Sequence, residues 1–167
     1  MFELKPITSS GIASALEKAE RYRLLNDPVA AESICLDVLQ LEPSNQEALV
    51  SLLLARTDVF ATTPGAGDAS AREVLPRLTS EYDRAYYAGL INERRGKALL
   101  ATVRPGSQGM AWICLRDAME FYEKAGKLKP EGNDEAVLRW NTCARILNAH
   151  SHLAPDDVSI VTPVLDD

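Results

Sequence analysis

The stretch "DAMEFYEKAGKLKPEGN", residues 117–133, spaces its apolar and small residues like one face of a helix and then meets a proline. The stretch "DPVAAESICLDVLQLEPSN", residues 27–45, has the same plan. Ala31 stands twelve residues before Pro43, as Ala118 does before Pro130, so the offset is the same at both landmarks. A small residue permits close helix contact, and a proline past the helix end disturbs no internal hydrogen bond. Both stretches are therefore predicted to be second helices of a repeated helix pair.

Most of the remaining chain is also predicted to be helical. Apolar residues recur at three- and four-residue intervals, and the breaks are short polar or Pro/Gly clusters at 26–28, 62–68 and 104–109. This pattern predicts about seven helices joined by short turns. The segment near the C-terminus, "DVSIVTPVL", is predicted to be an extended tail, since Pro163 and the flanking acids disfavour a strand.

Individual residues indicate where several helices begin and end. Ser44 and Glu47 have the spacing of a capping box, so a helix is expected to start there. Pro76 is expected to interrupt or end a helix that starts near Asp68, and Ser80 to open a long helix through residue 103.

Composition excludes several classes of protein. Hydrophobic residues make up 46% and charged residues 25%, which is typical of a soluble globular chain and not of a disordered one. A net charge of −6 disfavours a general nucleic-acid binder, which would carry a basic excess. Apolar runs such as "ALVSLLLA" are too short to span a bilayer, so no membrane association is expected.

The cysteines and the N-terminus predict a cytoplasmic protein. Cys35, Cys114 and Cys143 are odd in number and far apart, which favours buried reduced thiols over a disulfide framework. The opening "MFELKPITSSGIA" has no basic segment followed by an apolar run, so a secretory signal is not expected.

The repeated plan resembles the tetratricopeptide repeat (TPR) family, whose unit is a 34-residue helix–turn–helix. Its small residue, aromatic, alanine and proline are matched by Ala118, Tyr122, Ala125 and Pro130. In the first copy Ala31 and Pro43 match, Cys35 and Val38 are substitutions, and Asn26 replaces the glycine of the turn. The later helices also resemble bacterial TPR-like repeat proteins of uncharacterised function.

The resemblance implies an all-α fold, an α-α superhelix of about three TPR-like helix pairs plus a C-terminal capping helix. The 87-residue offset between the two copies exceeds two repeats by 19, which implies an enlarged third pair. We expect a single domain over 1–150, followed by an extended acidic tail over 151–167. The expected elements are pairs at about 10–43, 45–78 and 80–130 and a cap at 133–150.

In this family the first helix of each pair lines a concave groove that binds partners. By rough repeat numbering, the groove would include Leu16, Val50, Thr57 and Ala88 and, as the residues expected to contact a partner, Glu20, Arg23, Leu54, Asn92 and Arg95. The family's clamp for a terminal carboxylate is expected to be absent, because Leu16 and Glu20 stand at its positions. The run "NERRGK" at 92–97 leaves two interpretations open, an ordinary solvated helix face or a groove wall.

No catalytic motif emerges, so the chain is predicted not to be an enzyme and to need no cofactor or metal. His150 and His152 form an H-x-H that Asp156 and Asp157 could complete as a metal site, but a solvated helix end explains them as well. The aromatic residues of the third pair and the cap are expected to fill their core. These are Tyr82, Tyr86, Tyr87, Trp112, Phe121, Tyr122 and Trp140.

The expected function is a non-catalytic scaffold or adaptor that binds an extended peptide or a helix of a protein partner, with self-association into a homo-oligomer as a further possibility. Two alternatives stay open. One is an assembly or secretion chaperone for a specific client, and the other is a small metal-dependent enzyme or regulator.

Overall fold

A computed structural model describes residues 2–62, 68–102 and 104–154 of the chain. Over these residues the fold is all-α, as predicted, with seven α-helices, short 3-10 turns and no strand. None of the described helices has the length and apolar character needed to cross a membrane. The helices are α1 (Ile12–Leu24), α2 (Pro28–Leu41), α3 (Gln46–Asp58), α4 (Asp68–Arg72), α5 (Glu81–Leu100), α6 (Ser107–Leu128) and α7 (Glu135–Ala149).

The turn between α1 and α2 is built by three consecutive residues. Asn26 has a φ of 60°, the left-handed conformation expected of it in place of the family's glycine. Asp27 caps α2 by accepting a hydrogen bond of 3.1 Å from the backbone N–H of Ala30, and Pro28 takes the first helical position. This short connection lays α1 and α2 side by side as an antiparallel pair.

The second pair differs from the prediction in its details. Asn45, not Ser44, caps α3, because its side chain accepts a 2.9 Å hydrogen bond from Ala48 N. The partner helix α4 has only five described residues, and Pro76 lies in a separate 3-10 turn, Leu75–Arg77. The middle pair therefore has one full helix and one short one.

The third pair is the longest, as the offset between the two motif copies implied. Ser80 caps α5 by accepting a 3.1 Å hydrogen bond from Asp83 N, as predicted. A Cβ built on Gly89 would lie 2.7 Å from the ring of Tyr122, and one on Gly96 would lie 2.8 Å from Leu115 Cγ. Glycine suits both positions because a Cβ there would force the facing side chain of α6 to shift.

The two motif copies are buried in the same way. Ala31, Cys35 and Val38 on α2 are fully buried, and so are Ala118, Tyr122 and Ala125 on α6. The prolines that follow, Pro43 and Pro130, are exposed beyond the helix ends. The correspondence read from the sequence therefore holds in the packing.

Two hydrophobic clusters form the core, and α5 contributes to both. The first joins α1 to α4 with Ile91 and Ala98 of α5, and the second joins α5, α6 and α7 through residues such as Tyr86, Tyr122 and Cys143. The aromatic residues of the third pair take the predicted core role, except that Phe121 lines a surface cavity. Since α5 is the helix common to both clusters, its side chains determine how the two halves of the chain meet.

The predicted tail begins differently from expectation. Residues Ser151–Leu153 form a 3-10 turn, so the segment is not extended at its start. Residues 155–167, with the predicted acidic tail, Asp156 and Asp157, lie outside the described residues, as do residues 63–67 of the predicted loop.

Candidate functional site

A row of ion pairs joins the first helices of successive pairs. Asp58, at the end of α3, accepts a 2.8 Å hydrogen bond from Arg23 Nε on α1 through Oδ2. Its Oδ1 accepts one from Arg94 Nη1 on α5. One carboxylate therefore links three helices that lie far apart in sequence, on the face where the resemblance places a groove.

Arg94 also donates hydrogen bonds to acceptors near the C-terminal end of α3. Its Nη1 donates to the carbonyl oxygen of Leu54 at 3.1 Å and to Thr57 Oγ1 at 2.6 Å, besides Asp58. Arginine is suited to this position because its planar guanidinium presents several donors in a fixed geometry. The solvated-face interpretation of "NERRGK" is therefore wrong for Arg94, which is held between two helices.

A second shared carboxylate continues the row to α7. Glu93 is fully buried, and its Oε2 accepts a 2.6 Å hydrogen bond from the hydroxyl of Tyr122. Its Oε1 accepts from Lys97 Nζ one turn along α5 and from Arg139 Nη1 at 3.3 Å on α7. A buried carboxylate needs such partners because leaving it unpaired would cost several kcal/mol.

A third carboxylate, Asp68 on α4, is also shared by two cations. Arg72 Nε lies 3.2 Å from its Oδ2 and Arg95 Nη1 lies 3.4 Å from the same atom. Its Oδ1 is buried and has no hydrogen-bond partner among the residues that the structure describes. Asp58, Glu93 and Asp68 thus each pair with two cations.

Two adjoining cavities open beside this row at the C-terminal ends of α3 and α5. Phe60 and Ala98 line both of them, so the two are neighbours. The larger has a volume of about 360 Å³ and is lined by Thr57, Asp58, Phe60, Ala61, Arg94, Lys97, Ala98 and Ala101. The smaller, of about 130 Å³, is lined by Phe60, Arg95, Ala98, Leu99, Thr102, Arg104 and Ser107.

Three of the predicted groove residues lie on α1 and α3. Glu20 is exposed on α1, one turn before Arg23, which is engaged with Asp58. Leu54 is half-buried, and its carbonyl oxygen accepts hydrogen bonds from Thr57 and Arg94. That these residues line a groove and contact a partner stays a prediction.

The other two predicted groove residues pack against α4. Asn92 is only 4% exposed; its amide nitrogen donates to the carbonyl of Ala88, and its Oδ1 accepts a 2.8 Å hydrogen bond from Arg72. Arg95 of α5 pairs with Asp68 of α4. On α5 the side chains facing α3 are Ile91, Arg94 and Ala98. Asn92 is therefore buried and closed to a partner, whereas Arg95 also lines the smaller cavity and its contact with a partner stays a prediction.

The sequence interpretation gave no site role to Asp58, Glu93 or Lys97. Asp58 and Glu93 look like ordinary surface acids, since their partners come from other helices. One signal was available: Gly89 and Gly96, seven residues apart on α5, lie on one face and flank Glu93. Paired glycines inside a long helix indicate close contact with another helix, and hence a face that is not solvated.

The described residues offer no group of three or more His, Cys, Asp or Glu side chains placed to hold a metal ion. His150 Nδ1 lies 2.9 Å from the carbonyl oxygen of Ile146, one turn back on α7, and the His150 and His152 rings are 6.2 Å apart. Asp156 and Asp157, the further ligands considered, lie outside the described part of the chain.

The three thiols lie in the core, as expected. Burial raises the pKa of Cys35 to about 11, and burial together with the nearby Glu93 charge raises that of Cys143 to about 12. Burial also raises the pKa of Cys114. At neutral pH all three are uncharged, which suits packing and disfavours nucleophilic chemistry.

No protein-family model, curated protein sequence or solved structure matches this chain. The candidate site is therefore argued from its own geometry.

Proposed function

We propose that this chain is a TPR-like protein-interaction module that binds an extended peptide or a helix of a protein partner along α1, α3 and α5. The observation that carries the proposal is the row Arg23–Asp58–Arg94 with the two neighbouring cavities beside it. The ion pairs hold three helices in register, which gives a rigid surface. Rigid surfaces lose little entropy on binding.

The matching burial of the two motif copies supports an array of helix pairs in a superhelix. Ala31 and Ala118, like Val38 and Ala125, occupy equivalent fully buried positions. The lining of the larger cavity supports binding over catalysis, because its ionisable groups are held in ion pairs and its floor is apolar. Such a mixture is typical of a surface that recognises an apolar side chain with polar neighbours.

A selection experiment tests this function. Peptides of twelve residues are selected from a random displayed library on the folded full chain, and the bound peptides are mapped by NMR on ¹⁵N-labelled protein. We expect the amide shifts to concentrate at Leu54, Arg94, Lys97, Ala98 and Ala101. Shifts confined to the outer helices α2 and α6, or no selected peptide at all, would contradict the proposal.

A further inference from the structure

More cations than carboxylates line the two cavities, and this excess of positive charge favours a partner of opposite charge. Three carboxylates, Asp58, Asp68 and Glu93, are each paired with two cations. Of the six cations, Arg94, Arg95 and Lys97 line the cavities, whereas Arg23, Arg72 and Arg139 lie outside their linings. Of the residues that line the two cavities, Arg94, Arg95, Lys97 and Arg104 are cations and Asp58 is a carboxylate, which is an excess of three positive charges.

The cations also lie closer to solvent than the carboxylates beneath them. Glu93 is fully buried, whereas the side chains of Lys97 and Arg139 above it are 41% and 38% exposed. Lys97 has three donor hydrogens and directs its ammonium to a single carboxylate oxygen, so further donors remain. Arg104 lines the smaller cavity, is exposed, and makes no side-chain hydrogen bond or ion pair with any described residue.

Helix dipoles do not remove this excess. The C-terminal end of a helix carries partial negative charge on its last carbonyls, which opposes the binding of an anion. Arg94 already donates to the carbonyl of Leu54 at the end of α3, so part of that charge is satisfied. Lys97 lies in the last turn of α5, so that helix end offsets part of its charge, whereas Arg104 follows the helix in the connection to α6.

We propose that the partner segment is acidic: an extended peptide that places an apolar side chain in the larger cavity and carboxylates against Lys97 and Arg104. The inference rests on the proposed function and specifies its ligand. The apolar side chain would lie on Phe60, Ala98 and Ala101, and the carboxylates would match the local excess of positive charge. An acidic segment would also reach this face preferentially, because the rest of this acidic chain repels it.

The test uses three matched sets of fluorescent twelve-residue peptides. All have leucine at the same fixed positions, and the other positions hold Asp or Glu in the first set, Asn or Gln in the second, and Lys or Arg in the third. Binding is measured by fluorescence anisotropy at 50 and 300 mM NaCl. We expect the tightest binders in the acidic set, at least tenfold weaker binding in the amide set, and loss of the acidic advantage at high salt.

Charge variants locate the binding. Arg104→Gln changes an exposed side chain, and Lys97→Gln removes the second cation; each is expected to weaken acidic-peptide binding at least threefold. The control is Lys127→Gln with Arg145→Gln, two exposed cations on α6 and α7 that line neither cavity. The control should bind like the original chain, and thermal unfolding followed by circular dichroism verifies that each variant is folded.

The outcomes separate the two proposals. Amide peptides that bind as tightly as acidic ones, at the same residues, would overturn the acidic preference and leave the interaction function standing. Basic peptides that bind best would also overturn it. No binding by any set would overturn both. The salt dependence of the unmodified chain decides the preference even if a variant fails to fold.

Discussion

The hydroxyl of Tyr122 on α6 donates a 2.6 Å hydrogen bond to Oε2 of Glu93 on α5, and neither side chain is open to water. The ring of the same tyrosine fills the space over Gly89. One residue therefore supplies both the closest packing between the two longest helices and a polar partner for a buried carboxylate. Because Arg139 of α7 also donates to Glu93, this contact fixes three helices together.

Removing the Tyr122 hydroxyl should destabilise the fold. Tyr122→Phe keeps the ring over Gly89 but leaves Glu93 Oε2 without its donor. A hydrogen bond to a charged group is worth about 1.5–3 kcal/mol, so we expect the free energy of unfolding in urea to fall by that amount. The matched control is Tyr82→Phe, whose hydroxyl lies 3.3 Å from Asn133 in a partly exposed position.

The control should lose less than about 1 kcal/mol, since water can replace its weaker hydrogen bond. Equal losses in the two variants would contradict the role assigned to the buried carboxylate.

Two glycine substitutions should have effects of opposite sign. Gly89→Ala places a Cβ against the Tyr122 ring, and overpacking of this kind costs about 1–3 kcal/mol. Gly126→Ala on α6 meets no atom within 4 Å, and alanine is favoured over glycine inside a helix by about 1 kcal/mol. We expect the midpoint of thermal unfolding to fall for the first variant and to rise for the second.

A higher unfolding midpoint for both glycine variants would show that α5 and α6 can move apart without loss of stability. In that event the close contact would not be what determines the distance between the two helices.

The removal of the carboxylate shared between α1 and α5 should also be costly. Asp58→Asn keeps the shape of the side chain but leaves Arg23 and Arg94 without their counter-charge. These pairs are partly exposed, so we expect a loss of about 1–3 kcal/mol in the free energy of unfolding. Asp117→Asn on α6 is the control, because Asp117 is exposed and its carboxylate makes no ion pair with any described residue.

Salt distinguishes this effect from a general change in packing. The loss caused by Asp58→Asn should shrink when unfolding is measured at 500 mM NaCl, because screening weakens the pairs in the original chain. A loss that is independent of salt would argue against the ion-pair row as the link between the helices.

The helices themselves could be predicted from the sequence because their signals are local. Apolar spacing, the left-handed Asn26 and the cap Ser80 each act within one or two turns, and the structure has all three. The choice between Ser44 and Asn45 as a cap was beyond local reasoning, since both residue types are good caps. In the structure the side chain of Asn45 accepts the capping hydrogen bond from Ala48 N.

The candidate site was harder to predict because its contacts connect distant helices. The residues between the two motif copies do not fit the repeat length, so numbering carried across them selected Asn92, which is buried, and did not select Arg94, which pairs with Asp58 of α3. Burial of Glu93 depends on donors from α6 and α7, which no pattern within α5 specifies. Pairing between helices is set by tertiary packing, and a single sequence records it only indirectly.

Alkaline pH should destabilise the chain through its buried thiols. The pKa of Cys143 is raised from 9.0 to about 12, mainly by burial, and that of Cys35 to about 11. Between pH 9 and these values the unfolded thiol has lost its proton while the folded thiol keeps it. The folded state then binds more protons, so stability is fully present below pH 9 and is lost as pH rises towards 11–12.

The expected slope is about 1.4 kcal/mol per pH unit for each such thiol. Urea unfolding at pH 8.5, 9.5 and 10.5 measures it, and Cys143→Ala should show a shallower decline than the original chain because one contribution is gone. The variant's lower stability at pH 8.5 does not affect this comparison, since only the change with pH is used. Parallel declines in the two proteins would mean that Cys143 ionises as readily in the folded chain as in the unfolded one.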